Sequence, residues 1–270
     1  MRMTLSHIYT YPLKSGAPRT HDEALLEPRG LAGDRRFMVI DAQAKFLTGR
    51  QLPRLTLIRV TPSDTHTQFE APGMPTLTLR HPAADAERID TEVWGAAVKP
   101  LLASAGDEWI SAFLGSACRM VYMDPACTRA VKAKYDGKYG RDGDEVSLAD
   151  GFPLLLISQA ALDLLNTKLV QPVPMLRFRP NLVVAGTVAH AEDGWRHIRV
   201  GETEFEVTKP CVRCVFTTVD FERGAFDPAG EPLRTLIGYR RTPDGVTFGQ
   251  NLIPRRLGRV RVGDEVEVIA

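Results

Sequence analysis

Short stretches in which apolar and polar residues alternate recur along the first hundred positions, at 5–11, 37–41, 55–60, 76–80 and 91–100. A period of two puts every second side chain on one face, the pattern of a half-buried β-strand. Turn signals such as Arg29-Gly30 and Pro72-Gly73 separate the runs. Many strands with short spacers predict a barrel or a sandwich. The period changes at 107–114, where Trp109, Ile110, Phe113 and Leu114 fall at helical spacing and Asp107 stands at the N-cap position. A short strand is expected next, at 119–123.

A polar, glycine-rich stretch then runs from 124 to 150 and contains Tyr135-Asp136-Gly137-Lys138-Tyr139-Gly140-Arg141-Asp142-Gly143-Asp144. Its mixed charges read as a solvated loop, and a domain boundary is placed at its start, dividing the chain into 1–123 and 124–270. Beyond it the apolar run 152–157 predicts a strand, and Ser158 caps a helix carrying Ala161, Leu162, Leu164 and Leu165. Strands are expected at 182–185 and 197–200, and a short helix at 231–240 with Pro232 in its first turn. Val260, Val262, Val266 and Val268 share a face around Gly263-Asp264, which predicts a closing hairpin. The fold class is mainly β with a few helices (α+β), without internal repeats.

Bulk properties narrow the function. The 270 residues are 44% hydrophobic and 25% charged, ordinary for a soluble globular protein. A net charge of +1 gives no global field toward nucleic acid or a membrane, so any cationic site is local. Four cysteines do not make a disulfide scaffold in a chain of this length. With no signal peptide and no apolar run long enough to span a bilayer, the expectation is a cytoplasmic protein with reduced thiols. P-loop, GxGxxG, GxSxG and HExxH patterns are absent. His190 and His197 have no partner at metal spacing and read as core or surface residues.

The densest chemistry lies in Lys209-Pro210-Cys211-Val212-Arg213-Cys214. Alternating residues 203–208 precede it and the β-branched run 215–219 follows, so two strands are expected to meet at the thiols. Lys209 and Arg213 would favour thiolate, the form that binds metal or attacks. Spacing alone leaves four readings open: half of a zinc site, a redox pair, two inert cysteines, or a single thiolate serving as ligand or nucleophile. Cys118 and Cys127 would have to complete the zinc site from a distance. Cations also gather near expected strand ends, in Lys14-Ser15-Gly16, Gly33-Asp34-Arg35-Arg36, Thr48-Gly49-Arg50-Gln51 and Arg177-Phe178-Arg179-Pro180-Asn181. Arginine forks and lysine suit a phosphate, and a soft thiolate suits a soft metal.

Taken in order, several segments resemble one family. They are Tyr11-Pro12-Leu13-Lys14-Ser15, Gly30-Leu31-Ala32-Gly33-Asp34-Arg35, Thr48-Gly49-Arg50-Gln51, Thr91-Glu92-Val93-Trp94-Gly95, Ala149-Asp150-Gly151-Phe152-Pro153, Phe178-Arg179-Pro180-Asn181, the Cys211–Cys214 segment, Gly230-Glu231-Pro232-Leu233 and Phe248-Gly249-Gln250-Asn251-Leu252. The chain resembles MOSC-domain molybdenum proteins, the group of the mitochondrial amidoxime-reducing component and its bacterial relatives. The resemblance implies a β-rich N-terminal domain followed by a β-barrel-like MOSC domain. It implies a molybdenum cofactor (Mo-molybdopterin), a pterin dithiolene with a terminal phosphate, and the family is also associated with pyridoxal phosphate binding. Cys214 would be the metal ligand at the catalytic position and Cys211 a neighbour. Lys14, Ser15 and Arg35 would hold the anionic end, Arg179 and Asn181 would contact the cofactor, Arg213 would join them, and Ser158 carries over by position.

The implied activity is reduction of N-hydroxylated compounds: hydroxylamines, amidoximes and N-hydroxylated bases. Many bacterial relatives add a four-cysteine ferredoxin domain, and these residues hold no such cluster. The resemblance therefore implies a separate flavin or iron–sulfur electron donor, with a monomer as the expected state. A second reading is a carrier of sulfur or molybdopterin that uses a Cys214 persulfide. A third is a zinc-stabilised β protein without catalysis.

Overall fold

The computed structural model describes residues 2–131 and 139–270, so the loop expected at 124–150 lies partly outside the described residues. The protein is mostly β. Its largest sheet has nine strands in the order Arg19–His21, Thr4–Thr10, Leu182–Ala185, Leu154–Ser158, Gly245–Arg256, Thr203–Val212, His197–Val200 and Val266–Val268, with Arg241–Thr242 appended to Gly245–Arg256. Leu154–Ser158 and Leu182–Ala185 run parallel, joined by a crossover that contains the helix Gln159–Asn166. The other pairings in this sheet are antiparallel.

The two ends of the sheet meet. Thr4 bridges Glu265, the Leu5 amide donates to the Asp264 carbonyl at 2.8 Å, and the Val266 amide donates to the Met3 carbonyl at 3.0 Å. The sheet thus closes around a core that includes Leu5, Ile8, Leu156, Leu182, Ile198 and Phe205. The first strand of the chain completes a barrel built mostly from the C-terminal half, so the chain crosses the 123/124 line in space. This crossing brings Tyr11 to Arg36, just beyond that strand, up against the C-terminal loops.

The N-terminal half adds two three-stranded sheets of its own, Leu101–Leu102/Cys118–Tyr122/Phe37–Asp41 and Arg59–Pro62/His66–Glu70/Leu77–Arg80, and its strands Glu23–Glu27 and Gly30–Leu31 form a third with Arg259–Arg261. The helix Asp107–Leu114 packs Trp109, Ile110 and Phe113 into a second core with Phe37 and Phe69. Asp107 is not its cap: Gly106 holds that position, and the Asp107 carboxylate accepts the Met120 amide at 2.8 Å.

Four expected elements differ. Residues 55–60 divide into a 3-10 helix, Pro53–Leu57, and the strand Arg59–Pro62. Pro53 opens the turn, and Leu55 and Ile58, three apart, are both buried, which is 3-10 spacing rather than alternation. Residues 91–100 fold into the hairpin Thr91–Val93/Ala96–Val98, because Trp94 and Gly95 both take positive φ, 55° and 73°. Residues 215–219 are chiefly a 3-10 helix, Val215–Thr218. The Thr217 and Thr218 hydroxyls donate to the carbonyls three residues back, at 2.9 and 2.8 Å, and close the turn against β propensity. The terminal hairpin does not form: Arg259–Arg261 pairs with Glu23–Glu27, and Val266–Val268 pairs with His197–Val200. Only Val260 and Val266 of the four valines are buried.

Candidate functional site

A cleft lies where the loops of the N-terminal half face the barrel. Its walls bring together Lys14, Ser15, Arg35, Arg179, Asn181, Arg213 and Cys214, which the sequence scatters over two hundred positions. Arg50 and Arg177 also line it, and Asp150 is the carboxylate in its wall. Lys14, Arg35 and Arg177 pair with Asp150, Asp34 and Asp220, which leaves Arg50, Arg179 and Arg213 as an excess of positive charge that favours an anion.

The thiol segment ends the strand Thr203–Val212, and Cys214 opens the following 3-10 turn. It is a strand end rather than a helix start, so the thioredoxin arrangement is absent. Both thiols are free; Cys214 is exposed, and among the described residues nothing hydrogen bonds to its sulfur. The flanking cations act elsewhere. Arg213 Nη1 reaches Cys211 Sγ at 2.9 Å, because residues two apart in an extended segment share a face. Lys209 approaches Asp244 at 3.9 Å and the Tyr139 ring at 5.0 Å. Among the described residues no three His, Cys, Asp or Glu side chains converge as a metal site, which removes support for a zinc centre built from Cys118 and Cys127.

The anion-facing residues divide into those whose polar atoms are satisfied within the protein and those with a donor to spare. Asn181 is 1% exposed and fully engaged: its Oδ1 accepts from Arg35 at 3.1 Å and from the Leu155 amide at 3.2 Å, and its Nδ2 donates to the Tyr9 carbonyl at 3.1 Å and to Asp34 at 3.3 Å. Asn181 therefore braces the wall. Arg35 is ion-paired with buried Asp34, and Asp34 also accepts the Tyr11 amide at 2.7 Å. Arg179 donates through Nη1 to the Gly16 carbonyl at 2.7 Å, while its buried Nη2 has no partner. Arg213 donates through Nη2 to the Phe178 carbonyl at 2.6 Å, while its Nε has none. Buried donors without acceptors are costly, on the order of 1–3 kcal/mol each, so these two atoms call for an anionic ligand.

Ser15, Arg35 and Arg179 also hold positive φ, at 65°, 46° and 56°. Three non-glycine residues in that region on one wall mark a backbone bent to serve a site. Ser158 belongs elsewhere. It is fully buried, its hydroxyl accepts the Ala161 amide at 3.2 Å as the cap of Gln159–Asn166, and its amide donates to Glu192 at 3.0 Å. It lies at the far end of its strand from the cleft and is not part of the wall.

Lys14 is nearly buried, and burial pulls its ammonium down to about 8 against the opposing pull of Asp150. Its Nζ donates to Asp150 at 2.7 Å and to the Leu148 carbonyl at 2.9 Å. Asp150 also accepts from Trp94 Nε1 at 3.0 Å. Asp150 is 72% exposed; crowding by nearby protein atoms works to raise its carboxyl, but Lys14 and Trp94 outweigh that and hold the group well below the usual carboxylate range. Arg129 is a member of this layer that the sequence does not betray. It is 4% exposed, and its guanidinium donates to the carbonyls of Ser147 (3.0 Å), Asp150 (3.1 Å), Val93 and Ala149. It thereby shapes the loop that carries Asp150. Trp94 and Asp150 do have a sequence signal, since both lie in the segments that carry the family resemblance.

Comparison with known proteins shows the family. A family model described as "MOSC N-terminal beta barrel domain" matches residues 2–117, and one described as "MOSC domain" matches residues 143–267. The chain is 34% identical to "Mitochondrial amidoxime reducing component 2" of Rattus norvegicus, over 97% of this chain and 82% of that protein. It is 32% identical to "Mitochondrial amidoxime-reducing component 1" of Mus musculus, over 98% of this chain and 82% of that protein. A "Mitochondrial amidoxime-reducing component 1" of Danio rerio is 33% identical, over 97% of this chain and 83% of its own length.

Proposed function

This chain belongs to the MOSC-domain family that includes the mitochondrial amidoxime-reducing components, and from that premise we propose that it reduces N-hydroxylated compounds with a molybdenum cofactor bound in the cleft. The observation that carries the proposal is the meeting of one exposed soft sulfur, Cys214, with two buried guanidinium donors that have no acceptor. A pterin dithiolene that carries molybdenum and a phosphate would answer both needs.

When bound, the cofactor supplies the two-electron chemistry that removes the oxygen of an N–O bond. Everything else falls to the chain. Cys214 offers its sulfur from an exposed turn, where it would hold the metal and leave room for substrate. The Arg179 Nη2 and Arg213 Nε donors would hold anionic oxygens, with Lys14 and Ser15 beside them. Arg35 and Asn181 fix the Arg179 wall through Asp34 and the backbone. Asp150 stays ionised and keeps Lys14 charged at neutral pH. Electrons would come from a separate flavin or iron–sulfur protein.

The rival reading, a sulfur or molybdopterin carrier using a Cys214 persulfide, is served equally by an exposed sulfur. The cations that line the cleft would serve a molybdopterin carrier as well as a reductase, so turnover separates the two. The test is anaerobic reduction of an aryl amidoxime with a reduced viologen dye as electron source. Wild type should turn over, Cys214→Ser should be inactive, and Cys211→Ser should keep most activity. Equal loss in the two variants would point to a paired-thiol chemistry and sink the proposal.

A further inference from the structure

Arg179 is held by aromatic rings as well as by the backbone. Its guanidinium carbon lies 4.0 Å from the centre of the Tyr11 ring and 5.5 Å from that of Phe216. Tyr11 is completely buried, and the Arg35 guanidinium stands over the same ring at 4.4 Å. Two like charges so close would push apart; the negative face of a shared ring offsets part of that repulsion. Phe216 sits two residues beyond Cys214, in the same 3-10 turn, and is itself locked. A Cβ on Gly49 would come within 2.2 Å of its Cε2, so the Thr48–Gln51 loop leaves room for that ring only because it carries glycine there.

We propose that Tyr11 and Phe216 are positioning residues: the two rings pre-set the Arg179 guanidinium for a phosphate group, and Phe216 ties that arm to the turn bearing Cys214. The inference rests on the cofactor-site reading above. An unclamped arginine must lose side-chain freedom on binding, and a clamped one has lost it already. The phenol hydroxyl is not part of the effect. It donates to the Pro180 carbonyl at 3.0 Å, within the wall.

The test is calorimetric titration of the full chain, made in a host without molybdopterin, with inorganic phosphate, alongside thermal unfolding of each variant. Arg179→Gln is expected to lose phosphate binding. Tyr11→Leu and Phe216→Leu are expected to weaken it about tenfold, as the loss of a desolvated cation–ring contact implies. Tyr11→Phe, which keeps the ring and removes the hydroxyl, should bind within about twofold of wild type. Binding by both leucine variants at wild-type strength, with Arg179→Gln defective, would overturn the clamp and leave the site reading intact. So would a Tyr11→Phe defect equal to that of Tyr11→Leu. Failure of wild type to bind phosphate, or wild-type binding by Arg179→Gln, would overturn both. If Tyr11→Leu does not fold, Phe216→Leu decides, because Phe216 is only partly buried.

Discussion

Gly49→Ala concentrates the account of the cleft into one methyl group. The new Cβ would lie 2.2 Å from Phe216 Cε2 and 2.7 Å from its Cζ, where ordinary contact begins near 3.4 Å. The ring must therefore retreat by about 1.2 Å, the difference between those two distances. Thr217 and Thr218 bonding back to Cys214 and Val215 hold the turn's backbone, so the ring must yield by rotating about its own side-chain bonds, away from Arg179, or the Thr48–Gln51 loop must shift. Overpacking of this kind costs about 1–3 kcal/mol. In a chain of this size that lowers the melting temperature by roughly 3–10 °C. Differential scanning calorimetry of Gly49→Ala, Phe216→Ala and the double variant measures the coupling directly. The double variant should be more stable than Gly49→Ala alone, because the obstacle is gone. A Gly49→Ala protein that melts within a degree of wild type, with no recovery in the double variant, would refute the contact and with it the rigid link between the two halves of the cleft.

Other consequences are as direct. Burial lowers Lys14 from its ordinary 10.5 to about 8, with Asp150 opposing and Arg129 and Arg35 adding to the fall. Between those values the folded chain holds fewer protons than the unfolded one, so this group makes stability rise with pH across that window. In the proposed site a phosphate meets the Lys14 ammonium, so its affinity should fall above pH 8, by up to about tenfold per unit; calorimetry at pH 7 to 10 should show this, and Lys14→Met should flatten it. Arg129→Met leaves the carbonyls of Ser147, Ala149 and Asp150 without their donor and should cost about 3 kcal/mol in urea unfolding, while weakening phosphate binding through the Asp150 loop. Ser158→Ala should cost about 1 kcal/mol as a lost helix cap and leave phosphate affinity unchanged, which separates it from the cleft residues.

How much of this was legible in the chain varies with the range of the forces involved. The strand Phe37–Asp41 and the helix Asp107–Leu114 fall where periodicity puts them, because each buries one face of a local pattern. The terminal valines mislead because alternation specifies a face and not a partner: Val260 and Val266 are both buried, yet their strands pair with Glu23–Glu27 and His197–Val200. In the cleft, Lys14, Arg35, Arg179 and Cys214 could be named from motif and chemistry. That Asn181 is a brace could not, because its role lies in contacts with Tyr9, Asp34, Arg35 and Leu155. Arg129 left no trace at all, since its partners are backbone carbonyls, which every residue carries. Ser158 carries over by position but serves as a helix cap: a serine after an apolar strand caps the next helix first, and its burial at the end of Leu154–Ser158 keeps it there.

The most direct test of the central claim is elemental analysis for molybdenum and zinc on the full chain purified from a host that makes molybdopterin, with Cys214→Ser prepared in parallel. About one molybdenum per chain is expected in wild type, with its loss in Cys214→Ser. Zinc without molybdenum, or neither metal while another molybdenum protein from the same host is fully loaded, would contradict it.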